Sequence, residues 1–222
     1  MPNRFSLVYQ MKQTLIDELI LDRNWRFSEL EYVRKVPIMY TNTLFLKHID
    51  KHWRMCVPLI YAHWEGFVIA SYKQVVGFLS MQKYRYSQLQ PHIILLANKH
   101  RFNYLQGQPS KEQKKRFLEE YTQEERNGLE ISTKVVSAKS NLNFKQFSSI
   151  MDDFGISITD IHLRNRTIID KLVNLRNKIA HGENSVIVHE SDVDKMIFCI
   201  MEMIDVTICD INNYLATEAF LS

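Results

Sequence analysis

The residues with the clearest chemical potential in this chain are Arg176 and His181, which stand five positions apart. Histidine gains and loses a proton near neutral pH, so it can serve as a general acid and base. Arginine presents a planar fork of N–H groups that matches the oxygens of a phosphate. The two side chains together suit metal-free cleavage of RNA, in which the 2′-hydroxyl of the substrate is the nucleophile.

The segment that carries this pair, residues 161–180, has the apolar spacing of an amphipathic helix. On a helical wheel centred on Leu172, Arg176 falls inside the apolar stripe, at about 40° from its centre. A guanidinium in a core-facing stripe is costly unless a partner compensates its charge. An ordinary interpretation stays open, in which His181 complements the helix dipole and Gly182 ends the helix. That interpretation explains His181 well, but it does not explain an inward-facing Arg176.

A second notable block is Tyr61-Ala62-His63-Trp64-Glu65-Gly66-Phe67-Val68. Tyr61 and Trp64 fall on the apolar stripe of a helical pattern, so we interpret both as core residues. Glu65 borders this stripe, and buried carboxylates are nearly always paired. We therefore hypothesise that Glu65 pairs with or orients Arg176. The alternative is that Glu65 is a carboxylate at the rim of the core.

These two blocks resemble the motifs of HEPN-domain proteins. The run from Arg176 to His181 matches the R-x4-6-H motif in the form that begins Arg-Asn, and the run from Tyr61 to Val68 is similar to the helix signature of the MAE-type HEPN family. The resemblance covers roughly residues 5–215, and it is weak in the middle of the chain. It implies an all-α fold, an HEPN-like helical bundle with an antiparallel four-helix core. We expect a single domain over residues 1–222, with extra helices in an elaboration at about residues 83–155.

The resemblance also implies a function. Many HEPN proteins are metal-independent endoribonucleases that act as toxins or in defence against phage. In such an enzyme His181 is the general base and acid, and Arg176 stabilises the pentavalent phosphorus. Asn177 orients one of these groups or the phosphate, and the products are a 2′,3′-cyclic phosphate and a 5′-hydroxyl. Further residues in supporting positions are Glu65, Lys178 and Glu183.

The resemblance further implies which partners to expect. The substrate is RNA, and no cofactor and no metal is needed. A homodimer brings the Arg and His of both protomers into one composite active site, and an antitoxin or a neighbouring defence protein is a possible regulator. In one HEPN subgroup a tyrosine two residues after the histidine is modified by a paired nucleotidyltransferase, but Glu183 stands at that position here. Two alternatives stay open: a catalytically inactive HEPN-like module that dimerises or binds RNA or protein, and a helical adaptor in which the motif is a coincidence.

The composition of the chain agrees with a helical protein. Five prolines and six glycines are few for 222 residues, which favours long helices. The net charge of +3 is too small to demonstrate a nucleic-acid partner, and five Lys/Arg against Asp170 in residues 161–182 suit a solvated basic face. Three cysteines without C-x-x-C spacing argue against a disulfide framework and a zinc site. No signal core or uncharged apolar span is evident, so we expect a cytoplasmic protein.

The apolar periodicity predicts the remaining helices. A first helix fades near residues 22–24, and a capping-box pattern at Ser28 predicts a short second helix that Pro37 ends. A long helical pattern covers about residues 38–82, and Pro58 should kink it or split it. Further helices are predicted at residues 89–102, 110–121, 143–155 and 193–215.

Overall fold

The structure is a computed structural model that describes residues 4–39, 47–139 and 141–222. Within these ranges the regular structure is helical and no strand is formed, so the predicted all-α class is confirmed. None of the helices described here combines the length and the hydropathy that crossing a membrane requires. In chain order the helices are α1 (Arg4–Met39), α2 (Ile49–Gln82), α3 (Pro91–Tyr104), α4 (Lys111–Asn127), α5 (Phe144–Asp153), α6 (Asp160–Ala180) and α7 (Glu190–Ala216).

The core of the molecule lies between the long helices α1, α2, α6 and α7. Helix α2 packs against each of the other three, because apolar residues recur along it at helical spacing. Its aromatic side chains Trp64, Phe67 and Tyr72 are fully buried. Pro58 lies inside α2 without splitting it. Residues 40–46, which the helical pattern assigned to the same element, lie outside the described residues.

The prediction of two helices in the first forty residues is wrong. Helix α1 runs unbroken through Ser28 to Met39, and Pro37 lies inside it near its end. A proline has no N–H, so the carbonyl of Val33 loses its usual helical donor. The ring nitrogen Nε2 of His52, on α2, lies 3.2 Å from this carbonyl oxygen and replaces the missing donor. Packing of α1 against α2 therefore supplies the hydrogen bond that Pro37 removes, and α1 continues through the proline.

Between α2 and α6 the chain adds the three shorter helices α3, α4 and α5. Asn143 caps α5, since its side chain accepts a hydrogen bond from the N–H of Gln146 at 2.9 Å. We call residues 129–139 and 141–143, which join α4 to α5, the connecting segment. Its short 3-10 turn, Thr133–Val135, contacts both α2 and α3. The apolar side chains of Leu129 and Leu142 are buried, so this segment belongs to the core rather than to an exposed loop.

Candidate functional site

The C-terminal end of α6 is formed by a set of backbone hydrogen bonds around Gly182. The N–H of Gly182 donates to the carbonyl of Ile179 at 3.1 Å, and the N–H of Glu183 donates to the carbonyl of Lys178 at 3.0 Å. Gly182 has a φ of 77°, the left-handed conformation that this ending requires. The prediction that Gly182 ends the helix is therefore confirmed. The side chain of His181, just before this turn, is exposed, and no residue in the described ranges hydrogen-bonds to its imidazole.

Arg176 is half-buried on the core-facing side of α6. Its guanidinium lies over the ring of Tyr61, with Cζ 4.5 Å from the ring centroid. Nη1 donates to Oδ1 of Asn177 at 2.9 Å and to Oδ1 of Asn141 at 3.3 Å. Both acceptors are neutral amides, so they orient the cation without cancelling its charge. The opposite edge of the fork, formed by Nε and Nη2, makes no hydrogen bond to any residue that the structure describes.

Tyr61 and Trp64 are buried, as predicted, and their polar atoms hold the connecting segment against α2. The hydroxyl of Tyr61 accepts a hydrogen bond from the N–H of Leu142 at 2.9 Å. Nε1 of Trp64 donates to the carbonyl of the same residue at 3.0 Å. The two side chains thus satisfy both backbone polar groups of a buried residue. This clamp also places the preceding Asn141 beside Arg176, a contact that the sequence analysis missed.

Glu65 makes no direct ion pair with Arg176, so the pairing that we hypothesised is not present. Its carboxylate instead acts on Tyr61 through its charge. The pKa of Tyr61 is raised above its usual value, first by burial and further by the charge of Glu65. The hydrogen bond from Leu142 and the charge of Arg176 lower this pKa in part. Tyr61 therefore contacts the guanidinium of Arg176 and is also influenced by the charge of Glu65.

Arg54 is a second arginine of the site that the sequence analysis missed. It projects from α2 toward the loop after His181, where Nη2 donates to the carbonyl of Glu183 at 2.6 Å and Nη1 to the carbonyl of Val186 at 3.0 Å. These bonds fix the course of the chain that follows the candidate base. Arg54 stands seven residues before Tyr61, on the same side of α2. That spacing is a signal in the sequence, but its meaning depends on knowing where the loop lies.

Uncompensated positive charge on α6 is confined to its C-terminal end. Within the described ranges, neither Arg176 nor Lys178 has an ion-pair partner, and the side chains of Lys178 and Glu183 are exposed. The other basic side chains of the helix pair with acids: Arg164 with Glu202, Arg166 with Asp170, and Lys171 with Asp192. The basic run seen in the sequence therefore leaves available charge only near His181.

The histidine within α6, His162, has a structural role. It is fully buried, and its Nδ1 accepts a hydrogen bond from the N–H of Thr159 at 3.1 Å. Nε2 must then carry the proton, and it lies 3.0 Å from a carboxylate oxygen of Asp210 on α7. Both ring nitrogens are therefore used within the fold. His181, in contrast, has an imidazole that remains accessible for proton transfer.

The arrangement at the end of α6 can bind an anion and move a proton. The unused edge of Arg176 suits two oxygens of one phosphate. His181 offers a titratable group on the same helix end. Among the residues that the structure describes, no group of three or more His, Cys, Asp or Glu side chains is placed to hold a metal ion.

A comparison with protein families gives a match over most of the chain. A family model described as RiboL-PSP-HEPN matches residues 21–213, a range that contains both blocks on which the resemblance to HEPN proteins rests. The predicted membership of the HEPN group is therefore confirmed, and the MAE-type name is close to the family that matches. No curated protein and no solved structure matches the chain.

Replacement of Tyr61 should separate its two contacts. Tyr61→Phe keeps the ring beneath Arg176 but removes the acceptor of a buried N–H, so we expect the free energy of unfolding in urea to fall by about 1–3 kcal/mol. Tyr61→Leu also removes the aromatic face. Modification of Arg176 by a guanidine-selective dicarbonyl reagent, followed by peptide mass spectrometry, should be several times faster in Tyr61→Leu than in Tyr61→Phe.

Tyr72→Phe is the matched control for the hydroxyl. The hydroxyl of Tyr72 is buried on the same helix and has no hydrogen-bond partner in the described part of the chain. Its removal should therefore not lower the free energy of unfolding. Equal losses of stability in Tyr61→Phe and Tyr72→Phe, or equal Arg176 reactivity in both Tyr61 variants, would contradict the assigned contacts.

Proposed function

Because the chain belongs to the RiboL-PSP-HEPN family, we propose that it is a metal-independent endoribonuclease. The family match suggests an RNase-type or RNA-binding function, and cleavage is the step that our proposal adds. The observation that carries it is the state of Arg176. This guanidinium is half-buried, is held by an aromatic face and neutral amides, and keeps one edge of its fork unused. A cation in this state suits a phosphate better than it suits the interior of a protein.

In the proposed reaction the 2′-hydroxyl of a nucleotide attacks the adjacent phosphorus of its own strand. Neutral His181 accepts the proton of this hydroxyl as the new P–O2′ bond forms. The P–O5′ bond breaks, and an imidazolium returns a proton to the leaving 5′-oxygen. The products are a 2′,3′-cyclic phosphate and a 5′-hydroxyl, and the step consumes no water.

Arg176 acts in this proposal on the charge that develops in the transition state. Additional negative charge accumulates on the phosphate oxygens when phosphorus becomes pentavalent. The bonds from Nη1 to Asn177 and Asn141 fix the guanidinium plane, so the Nε–Nη2 edge needs little rearrangement to meet two oxygens. Preorganised donors of this kind are each worth on the order of 10²–10³ in rate. Asn177 is thus proposed as the residue that orients Arg176, with Tyr61 and Glu65 as its further support.

A second copy of the chain is proposed to complete the site. A general base is normally held in one orientation by a neighbouring group. The imidazole of His181 is exposed and has no such neighbour among the residues described. A two-fold dimer through this end of α6 would cover both imidazoles and bring the two Arg176 side chains into one cleft.

The cleavage assay is direct. The purified protein should cut single-stranded RNA in EDTA, and His181→Ala should lower the rate at least about 100-fold because the proton-transfer group is lost. Arg176→Lys should restore little of the loss seen in Arg176→Ala, since an ammonium lacks the planar fork. The 2′,3′-cyclic end is identified by mass spectrometry of the products.

His189→Ala is the control for the loss of a histidine. His189 is exposed before α7, and its side chain makes no capping hydrogen bond. Its replacement should leave the cleavage rate unchanged. If His181→Ala cleaves RNA as fast as the parent protein, another residue is the base.

Complementation tests the composite site. His181→Ala keeps Arg176, and Arg176→Ala keeps His181, so a mixed dimer holds one of each in a shared cleft. We expect the mixture of the two variants to recover part of the activity that each has lost, and the activity per molecule to fall on dilution below the dimer dissociation constant. No recovery, together with activity independent of dilution, would place the whole site in one copy.

The second candidate function is an inactive module that binds RNA or protein through the same surface. The unsupported imidazole of His181 is the observation that favours it, because a binding module needs no oriented base. In that case His181→Ala changes association or thermal stability, and there is no nuclease activity to lose.

Expression in a bacterium distinguishes the two candidates in cells. An endoribonuclease that acts as a toxin or a phage-defence effector should arrest growth, and His181→Ala should relieve the arrest. An antitoxin or a neighbouring defence protein is then the proposed regulator. Growth that is equally poor with the parent and with His181→Ala would argue for toxicity through binding alone.

A further inference from the structure

A groove of about 540 Å³ runs along α2 beside the candidate site. One side of the groove belongs to α2, from Ala62 to Lys73, and the other is formed by Val136 to Lys139 of the connecting segment. We propose that this α2 groove binds the phosphate backbone of single-stranded RNA next to the cleaved bond. The inference rests on the proposed function for the identity of the ligand, and it adds where the strand lies.

The floor of the α2 groove is low because small residues form it. Ala62, Gly66 and Ala70 recur every four residues, so they lie in one row along the helix. From Ala62 to Lys73 the helical side of the groove extends about 16 Å at the usual rise of a helix, enough for a few nucleotides. A side chain at Gly66 would also meet Arg26, since an added Cβ would lie 3.1 Å from its Nη1. Because Arg26 of α1 packs this close to α2, glycine is favoured at position 66, and this glycine also keeps the groove open.

The charge of the α2 groove suits phosphates. Lys73 stands on the helical side and Lys139 on the opposite side, and both are exposed. Neither has an ion-pair partner among the described residues, unlike Arg164, Arg166 and Lys171 of α6. Two unpaired ammonium groups across an open, mostly uncharged floor are a favourable setting for a polyanion.

Two sets of residues join the α2 groove to the candidate site. Glu65 lines the groove, and its charge acts on Tyr61, whose ring lies beneath Arg176. On the other side Asn141, two residues after Lys139, accepts a hydrogen bond from the same guanidinium. A strand whose phosphate meets Arg176 can therefore continue between the two lysines. Glu65 faces that strand as an acceptor, and RNA offers it donors in the 2′-hydroxyls and the base edges.

The observations favour RNA over an acidic peptide as the occupant. Peptide and protein partners are usually anchored by large side chains in well-formed pockets. The α2 groove has a floor of alanine and glycine, and within the described ranges its larger apolar residues are Ile69 and Val136 alone. The groups that can recognise a ligand are the ammonium groups of Lys73 and Lys139, and the groove continues from them toward Arg176, a third cation without an ion-pair partner among the described residues.

The test measures binding in a background that cannot cleave. Lys73→Ala and Lys139→Ala are combined with His181→Ala, and the affinity for a labelled 12-nucleotide RNA is measured over a range of salt concentrations. The double replacement should weaken binding and make the slope of log K against log salt shallower by about 1.4, because each phosphate contact of a single strand contributes about 0.7. DNA of the same sequence should lose affinity by a similar factor, since lysines that contact phosphates do not distinguish the sugars.

Lys111→Ala with Lys195→Ala is the matched control for net charge. Both lysines are exposed, lie outside the α2 groove and have no ion-pair partner within the described ranges. This pair should leave the salt slope close to that of the His181→Ala background. An equal effect of the two pairs, or no effect of Lys73→Ala with Lys139→Ala, would overturn the proposal. Competition by polyglutamate as effective as that by RNA would also overturn it, in favour of a protein partner.

Cleavage measurements separate a failure of this inference from a failure of the proposed function. In the active protein the groove variant should raise KM for the 12-nucleotide RNA by a larger factor than for a dinucleotide, which is too short to fill the groove. Absence of cleavage by the parent protein would refute the endoribonuclease alone. The salt dependence of binding would still show whether RNA binds in the α2 groove.

Discussion

The stacking of Arg176 on Tyr61 is the contact on which the candidate site depends. A guanidinium that is partly removed from water needs compensation, and a carboxylate is the usual partner. A carboxylate would also cancel the charge that a phosphate must meet. The aromatic face and two amide oxygens stabilise the cation without neutralising it. Arg176 is therefore partly buried and still keeps a positive charge that a ligand can meet.

Tyr61 can support this cation because its own position is fixed at both ends. Its ring is buried in the core, and its hydroxyl is held by the N–H of Leu142. Burial raises the pKa of the phenol, so Tyr61 stays neutral near neutral pH. The connecting segment therefore contributes to the site, because the hydrogen bonds of Tyr61 and Trp64 to Leu142 place the neighbouring Asn141 beside the guanidinium. A segment outside both motif blocks thus helps to position the arginine of one of them.

The distribution of charge is a second consequence of the packing. Acids of α7 approach the beginning and the middle of α6, where Arg164 pairs with Glu202 and Lys171 with Asp192. No described acid approaches the last turn in the same way. The small net charge of +3 therefore conceals a local excess beside the exposed imidazole. Exposed ion pairs contribute little to stability, but here they decide which cations remain available to a ligand.

The sequence by itself determined the features that depend on neighbours along the chain. Helical periodicity predicted the all-α class and the burial of Tyr61 and Trp64, and the glycine at position 182 predicted where α6 ends. Local signals failed where distant residues compensate them, as when His52 covers the carbonyl that Pro37 leaves without a donor. Only the tertiary structure decided the partners of the guanidinium. Those partners come from segments far apart in the sequence, and no period or spacing along a single chain encodes which of them meet.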